Sequence, residues 1–129
     1  MILTETAALQ AYAKMMNTLS ADSLKELLAD DFVYESQMVF QALESKPAFL
    51  DYIEPKLHTI RNSDAPVYAE MGTVTAYGKN QSCVILAQRD KANLVALVLA
   101  KVDGDRLKRL DLCILPSPQT AERSGEYPA

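Results

Sequence analysis

The sequence predicts one α+β domain with three N-terminal helices and a mixed, mostly antiparallel sheet. Two patterns predict this class. Up to residue 62, apolar residues recur mainly at the three- and four-residue spacings of amphipathic helices, apart from one short stretch that alternates. After residue 66 the alternation has a period of two, as in strands, and turn-forming residues interrupt it three times. With 129 residues, 49% of them hydrophobic, the chain has the size and composition of a single globular domain.

The first two helices are short and lie close together in the sequence. Thr4 is the expected N-cap of a helix over residues 5–17. Its apolar stripe consists of Ala8, Leu9, Tyr12, Met15, Met16 and Leu19. Ser20 is the expected cap of a second helix that stops near Asp30. Each helix therefore buries one face.

A short strand follows over residues 32–37, where the period changes to two. Tyr34 and Ser36 lie on one side of it and Glu35 on the other. We expect residues 38–43 to extend this strand.

The third helix begins after the expected cap Ser45 and ends near residue 62. Pro47 lies in its first turn, where a missing N–H is tolerated. Pro55 lies in mid-helix and removes a hydrogen bond, so we expect the helix to bend or divide there. The apolar stripe consists of Phe49, Leu50, Ile53, Leu57 and Ile60.

Four strands form an expected antiparallel meander in the second half of the chain. They cover residues 67–77, 82–89, 93–102 and 107–115, and turn residues at 78–80, 90–92 and 103–105 connect them. The domain therefore spans residues 1–115. The polar tail over residues 116–129 is expected to be mobile.

This order of elements resembles the nuclear transport factor 2-like superfamily, which includes ketosteroid isomerases and SnoaL-like cyclases. Residues 28–35, LADDFVYE, are similar to the segment where the second helix of that family gives way to its first strand. Ser45-Lys46 resembles the Gly-Arg pair that opens its third helix. The resemblance implies a cone, in which the helices pack in the concave face of a curved sheet around an internal pocket.

Strand parity, combined with this resemblance, predicts which side chains line the pocket. If Tyr34 faces inward, alternate residues of the last strand should do the same. The preceding strand is apolar on both sides, and we assign Leu97 to the inner side and Ala96 to the outer side. The predicted lining consists of Tyr12, Met16, Tyr34, Ser36, Tyr52, Lys56, Val95, Leu97, Leu110, Leu112 and Ile114. The apolar outer side needs a second cover, which we expect to be another subunit in a homodimer through the convex face.

The resemblance to ketosteroid isomerases also implies which positions of this chain would carry catalytic residues. Tyr12 matches their oxyanion-binding tyrosine, but Ser36 occupies the position of the base and Val95 that of the second acid. The sequence therefore favours a pocket that binds a small apolar molecule without converting it. Two alternatives remain open: an isomerase, cyclase or dehydratase that uses Glu35 as its base, and an interaction module whose pocket is filled.

Other features exclude several classes of function. His58 is the only histidine and is expected to face solvent, so we predict no metal site. Cys83 and Cys113 are interpreted as reduced packing residues. A net charge of −4, without a basic stripe, argues against nucleic acid. No phosphate-binding loop is present, so we predict no cofactor. No membrane segment or export signal stands out, and we expect the protein in the cytoplasm.

Overall fold

The structure, a computed structural model, describes residues 2–38 and 41–129 and confirms the predicted α+β class. The helices among these residues are α1 (Glu5–Thr18), α2 (Asp22–Lys25) and α3 (Lys46–Arg61). The strands are β1 (Leu28–Ser36), β2 (Val67–Ala76), β3 (Lys79–Gln88), β4 (Leu94–Asp103), β5 (Arg106–Cys113) and β6 (Glu122–Arg123). In the described part of the chain, no helix has the length and apolar character needed to cross a membrane.

The six strands form one open sheet with the order β1-β5-β4-β3-β2-β6. β1 is parallel to β5, and the other neighbouring pairs are antiparallel. The predicted mixed, mostly antiparallel sheet is therefore confirmed. The helices cover one face of this sheet, where the main hydrophobic core lies.

Local signals placed the long helices correctly. The hydroxyl of Thr4 accepts a hydrogen bond from the backbone N–H of Ala7 at 3.0 Å, and the hydroxyl of Ser45 accepts one from Ala48 at 3.1 Å. α3 continues through Pro55 as one helix.

The second helix is much shorter than predicted. It ends at Lys25, has no side-chain cap, and is followed by a strand that begins at Leu28. Leu28 is paired with Leu107 of β5, so sheet pairing replaces the helical turns expected up to Asp30. Leu43 pairs antiparallel with Tyr34 through two backbone hydrogen bonds, so at this residue the chain lies beside β1 and does not prolong it. Residues 39 and 40 lie outside the described part.

The inner and outer sides of β4 differ from the prediction. Ala96, Val98 and Ala100 belong to the core beneath the helices, whereas Leu97 and Leu99 lie on the outer face. The predicted outward position of Ala96 and inward position of Leu97 were therefore wrong. A strand that is apolar on both sides carries no parity signal, and the small alanines face the closely packed helix α1.

The C-terminal segment, residues 117–129, lies along the outer face and edge of the sheet. A 3₁₀ helix (Pro118–Thr120) contacts β4, and β6 pairs with the edge strand β2. Beside it lies an outer apolar cluster formed by Val74, Ala76, Cys83, Ile85, Leu97, Leu99 and Cys113, with Leu94 and Ala121 packed against it. The chain therefore supplies part of the outer cover itself, through a tail that packs against the sheet.

Gly72 allows this close approach of β6 to β2. A Cβ atom at this position would lie 2.7 Å from the carbonyl oxygen of Glu122 and 2.7 Å from Cδ1 of Ile85. We predict that Gly72→Ala displaces β6 and lowers the free energy of unfolding by about 1–3 kcal/mol, measured by urea denaturation. The control Thr75→Ala changes an exposed residue of the same strand. Equal stabilities of the two variants would contradict this prediction.

Candidate functional site

An aromatic cluster fills the inner face of the sheet. Tyr12 of α1 is 2% exposed and Tyr34 of β1 is 3% exposed. The ring centroid of Tyr34 lies 5.2 Å from that of Phe49 and 5.7 Å from that of Tyr52, both on α3. Such tilted contacts are favourable and fix the ring positions. Aromatic side chains therefore occupy the centre of the predicted hollow.

Polar side chains of this cluster lie close together between the surface and the interior. Nζ of the exposed Lys56 donates to the hydroxyl of Tyr52 at 3.0 Å. Tyr52 and Ser36 are the polar neighbours of the Tyr34 side chain, and the Ser36 oxygen accepts from the backbone N–H of Met38 at 3.1 Å. The structure thus brings together four predicted site residues that are distant in the sequence. We call these four, with Tyr12, the tyrosine cluster.

Burial raises the pKa of two phenols of the tyrosine cluster, Tyr12 and Tyr34. For Tyr12 the pKa lies well above its ordinary value of 10.0, and the charges of ionised Tyr34 and Tyr52 would raise it further. For Tyr34, burial is the main cause, Tyr52 adds to the effect, and Ser36 opposes it. At neutral pH both hydroxyls are therefore uncharged hydrogen-bond donors and acceptors.

The other predicted lining residues are distributed over three environments. Met16, Leu110 and Leu112 are buried in the core beneath the helices, and Val95 packs at its edge because a register shift interrupts the pairing of β3 with β4. Leu97 lies on the outer face, as described above. Ile114 is 43% exposed, beyond the end of β5.

A cavity of about 410 Å³ opens where α1 and α3 end and β2 begins. We call it the mouth cavity. Its apolar wall includes Met16, Leu19, Ile60 and Val67, and its polar wall includes Arg61, Tyr68, Lys91 and Tyr127. Met16 lies one helical turn after Tyr12, and Ile60 one turn after Lys56, but none of the tyrosine cluster residues lines this cavity. Of this wall, the sequence analysis had assigned only Met16 to a ligand site.

The carboxylates that could have served a catalytic site face elsewhere. Glu35 and Asp111 lie on the outer face, where both contact Arg109; its Nε is 3.0 Å from Oδ1 of Asp111. His58 is exposed, and its Nε2 lies 3.1 Å from Nδ2 of Asn62. The predicted outward orientations of Glu35, Asp111 and His58 are confirmed.

Glu70 is the one buried carboxylate of the described residues, at 3% exposure. Its two oxygens accept hydrogen bonds from Nε of Arg123 at 2.7 Å and from the backbone N–H of Gly125 at 2.8 Å. The sequence analysis missed this residue. A signal was present, because Glu70 has the strand parity of Val74, on a side that is otherwise apolar.

A second cavity of about 580 Å³ lies on the outer face of the sheet, and we call it the outer groove. Leu99 and Cys113 contribute apolar wall, and burial raises the pKa of the Cys113 thiol to about 11, so that thiol is unreactive. The polar wall includes Glu5, Glu35, Lys79, Lys101, Arg109 and Asp111.

The described residues contain no cluster suited to a metal ion. Within residues 2–38 and 41–129, no group of three or more His, Cys, Asp or Glu side chains is placed to hold a metal ion. The tyrosine cluster contains hydroxyls and one ammonium group, which suit hydrogen bonding to an oxygen of a ligand.

Comparison with solved structures identifies the class of fold. A protein from Sinorhizobium meliloti, whose polyketide cyclase activity is itself inferred, is 20% identical, with 80% of this chain and 90% of that chain covered and a TM-score of 0.57. An NTF2-like protein of unknown function from Cytophaga hutchinsonii is 13% identical, with 90% and 96% covered and a TM-score of 0.57. An LEH-like epoxide hydrolase from M. tuberculosis is 16% identical, with 85% and 83% covered and a TM-score of 0.57.

These similarities define an NTF2-like fold, which confirms the resemblance stated from the sequence. No family model matches the chain, and no curated protein matches it. At such low identities the comparisons establish the fold and leave the activity open.

The buried tyrosines predict a loss of stability in alkali. Because the pKa of Tyr12 and Tyr34 is higher in the folded chain, the unfolded chain loses these protons first as the pH rises above about 10. The contribution of these tyrosines to the free energy of unfolding should therefore be constant near neutral pH and fall as the pH rises above about 10. Urea denaturation across this pH range should show a shallower fall for Tyr34→Phe. Tyr77→Phe, at a position 77% exposed, is the control, and equal slopes for both variants would refute the assignment.

Proposed function

We propose that the protein binds a small, largely apolar molecule at the mouth cavity, without converting it. The observation that carries this proposal is the composition of the site. Its polar wall presents donors such as Arg61, Lys91 and the hydroxyl of Tyr68. The one buried carboxylate of the described residues, Glu70, is bonded to Arg123 and Gly125.

The size and wall of the mouth cavity support such a ligand. About 410 Å³ accommodates a molecule of one or two rings. Met16, Ile60 and Val67 provide apolar contact.

An isomerase, cyclase or dehydratase is the alternative that the solved neighbours suggest by name. Such chemistry needs a base within hydrogen-bond reach of the reacting proton. Glu35, the candidate for this role, is exposed and contacts Arg109 on the opposite face. Ser36 does not titrate near neutral pH, so binding accounts better for the site.

We predict that 2-naphthol, whose own fluorescence reports its environment, binds in the mouth cavity. Ile60→Phe reduces the free volume and should weaken binding at least about tenfold in a fluorescence titration. Ile2→Phe, at an exposed position, is the matched control and should bind like the unmodified protein. Absence of 2-naphthol binding, or equal affinities of the two variants, would count against the proposed function.

A second candidate function, homodimer formation, is favoured by the outer groove. It combines an apolar wall with charges of both signs, such as Glu5 and Lys101, and can therefore complement a second copy related by a two-fold axis.

We also propose the cytoplasm as the compartment of this protein. Free thiols such as those of Cys83 and Cys113 are typical of cytoplasmic proteins, because that compartment keeps cysteines reduced.

We predict that Lys101→Glu weakens self-association, because like charges then face each other across the two-fold axis. Sedimentation velocity should show a shift from dimer towards monomer. Lys25→Glu, on the exposed surface of α2, is the control and should leave the sedimentation coefficient unchanged. A monomeric unmodified protein would exclude this second candidate. Ala96 cannot report on this face, because it lies beneath the helices.

A further inference from the structure

Two cations line the mouth cavity together with Ala129, and neither forms an ion pair among the described residues. Arg61 and Lys91 both line the cavity, and none of its described lining residues is an aspartate or glutamate. Positive charge beside an apolar wall attracts a ligand that combines an anionic group with an apolar body.

The ammonium group of Lys91 is held in place by two aromatic rings. Its Nζ lies 4.3 Å from the ring centroid of Tyr127 and 5.5 Å from that of Tyr68. This contact reduces the freedom of the side chain and leaves its N–H donors available. Arg61 is oriented in a similar way, because one of its Nη atoms donates to the carbonyl of Leu19 at 3.0 Å while its other donors remain free.

The buried Glu70 stabilises this wall through its bond to Arg123. It holds Arg123, whose Nη2 donates to the carbonyl of Lys91 at 2.9 Å and to the hydroxyl of Tyr127 at 3.2 Å. A buried carboxylate is costly, and through Arg123 it holds the backbone of Lys91 and the ring of Tyr127, against which the Lys91 ammonium group packs. Asn17 adds a further attachment, since its amide donates to the carbonyl of Pro128 at 2.7 Å.

We propose that the ligand of the mouth cavity carries a carboxylate, which lies between Lys91 and Arg61 while its apolar body contacts Met16, Ile60 and Val67. This inference rests on the proposed binding function and names the class of ligand. Pre-organised cations lose little freedom on binding, so the charge contributes to affinity.

The test compares two probes of the same ring system at neutral pH, the anion 2-naphthoate and the neutral 2-naphthol. For the unmodified protein we expect 2-naphthoate to bind about five- to tenfold more tightly, and the difference to shrink as salt is added. Lys91→Met and Arg61→Gln should each reduce this preference, measured as the ratio of the two affinities. Lys14→Met, which removes an exposed charge from α1, is the control.

The outcomes separate the two proposals. Binding of 2-naphthol without a preference for 2-naphthoate overturns the carboxylate inference and leaves the binding function intact. A preference that Lys91→Met does not reduce also overturns it, because Lys91 is exposed and its replacement leaves the fold in place. Binding of neither probe overturns both proposals.

Discussion

The structure depends on burying a sheet that is apolar on both faces. Ala96 and Val98 of β4 pack beneath the helices, while Leu97 and Leu99 of the same strand need cover on the other side. The C-terminal segment supplies part of that cover and is fastened by the buried bond between Glu70 and Arg123. Because sheets expose alternate side chains on opposite faces, a single helical layer could not have satisfied this strand.

The bond between Glu70 and Arg123 also shapes the candidate site. Arg123 lies between the outer cover and the mouth cavity, and it contacts Lys91 and Tyr127 of the cavity wall. The centre of the inner face is filled by aromatic rings, so the free volume that adjoins the core lies at the end where both long helices stop. The candidate site is therefore built by the helices and by the C-terminal segment together.

An NTF2-like fold is compatible with several activities, and the groups presented at the site decide among them. Here those groups are protonated phenols, one serine hydroxyl and nearby cations. Such groups can donate hydrogen bonds to an oxygen or an anion, as the proposed binding function requires. The described carboxylates lie on the outer face or are exposed to solvent. Glu35 and Asp111 form ion pairs with Arg109, and Glu70 forms one with Arg123.

Short-range interactions made much of the fold predictable: the caps Thr4 and Ser45, the apolar stripes of the long helices and the strand alternation all act over a few residues. The resemblance of the element order also anticipated that Tyr34, Ser36 and Tyr52 would meet. The sequence could not reveal the faces of β4 or the partner of Glu70, which is 53 residues away. The sequence did not predict the mouth cavity either, because its wall is formed by five separate parts of the chain. Such contacts depend on which surfaces meet once the sheet has curved and its last segment has folded over it, and only the tertiary structure decides that.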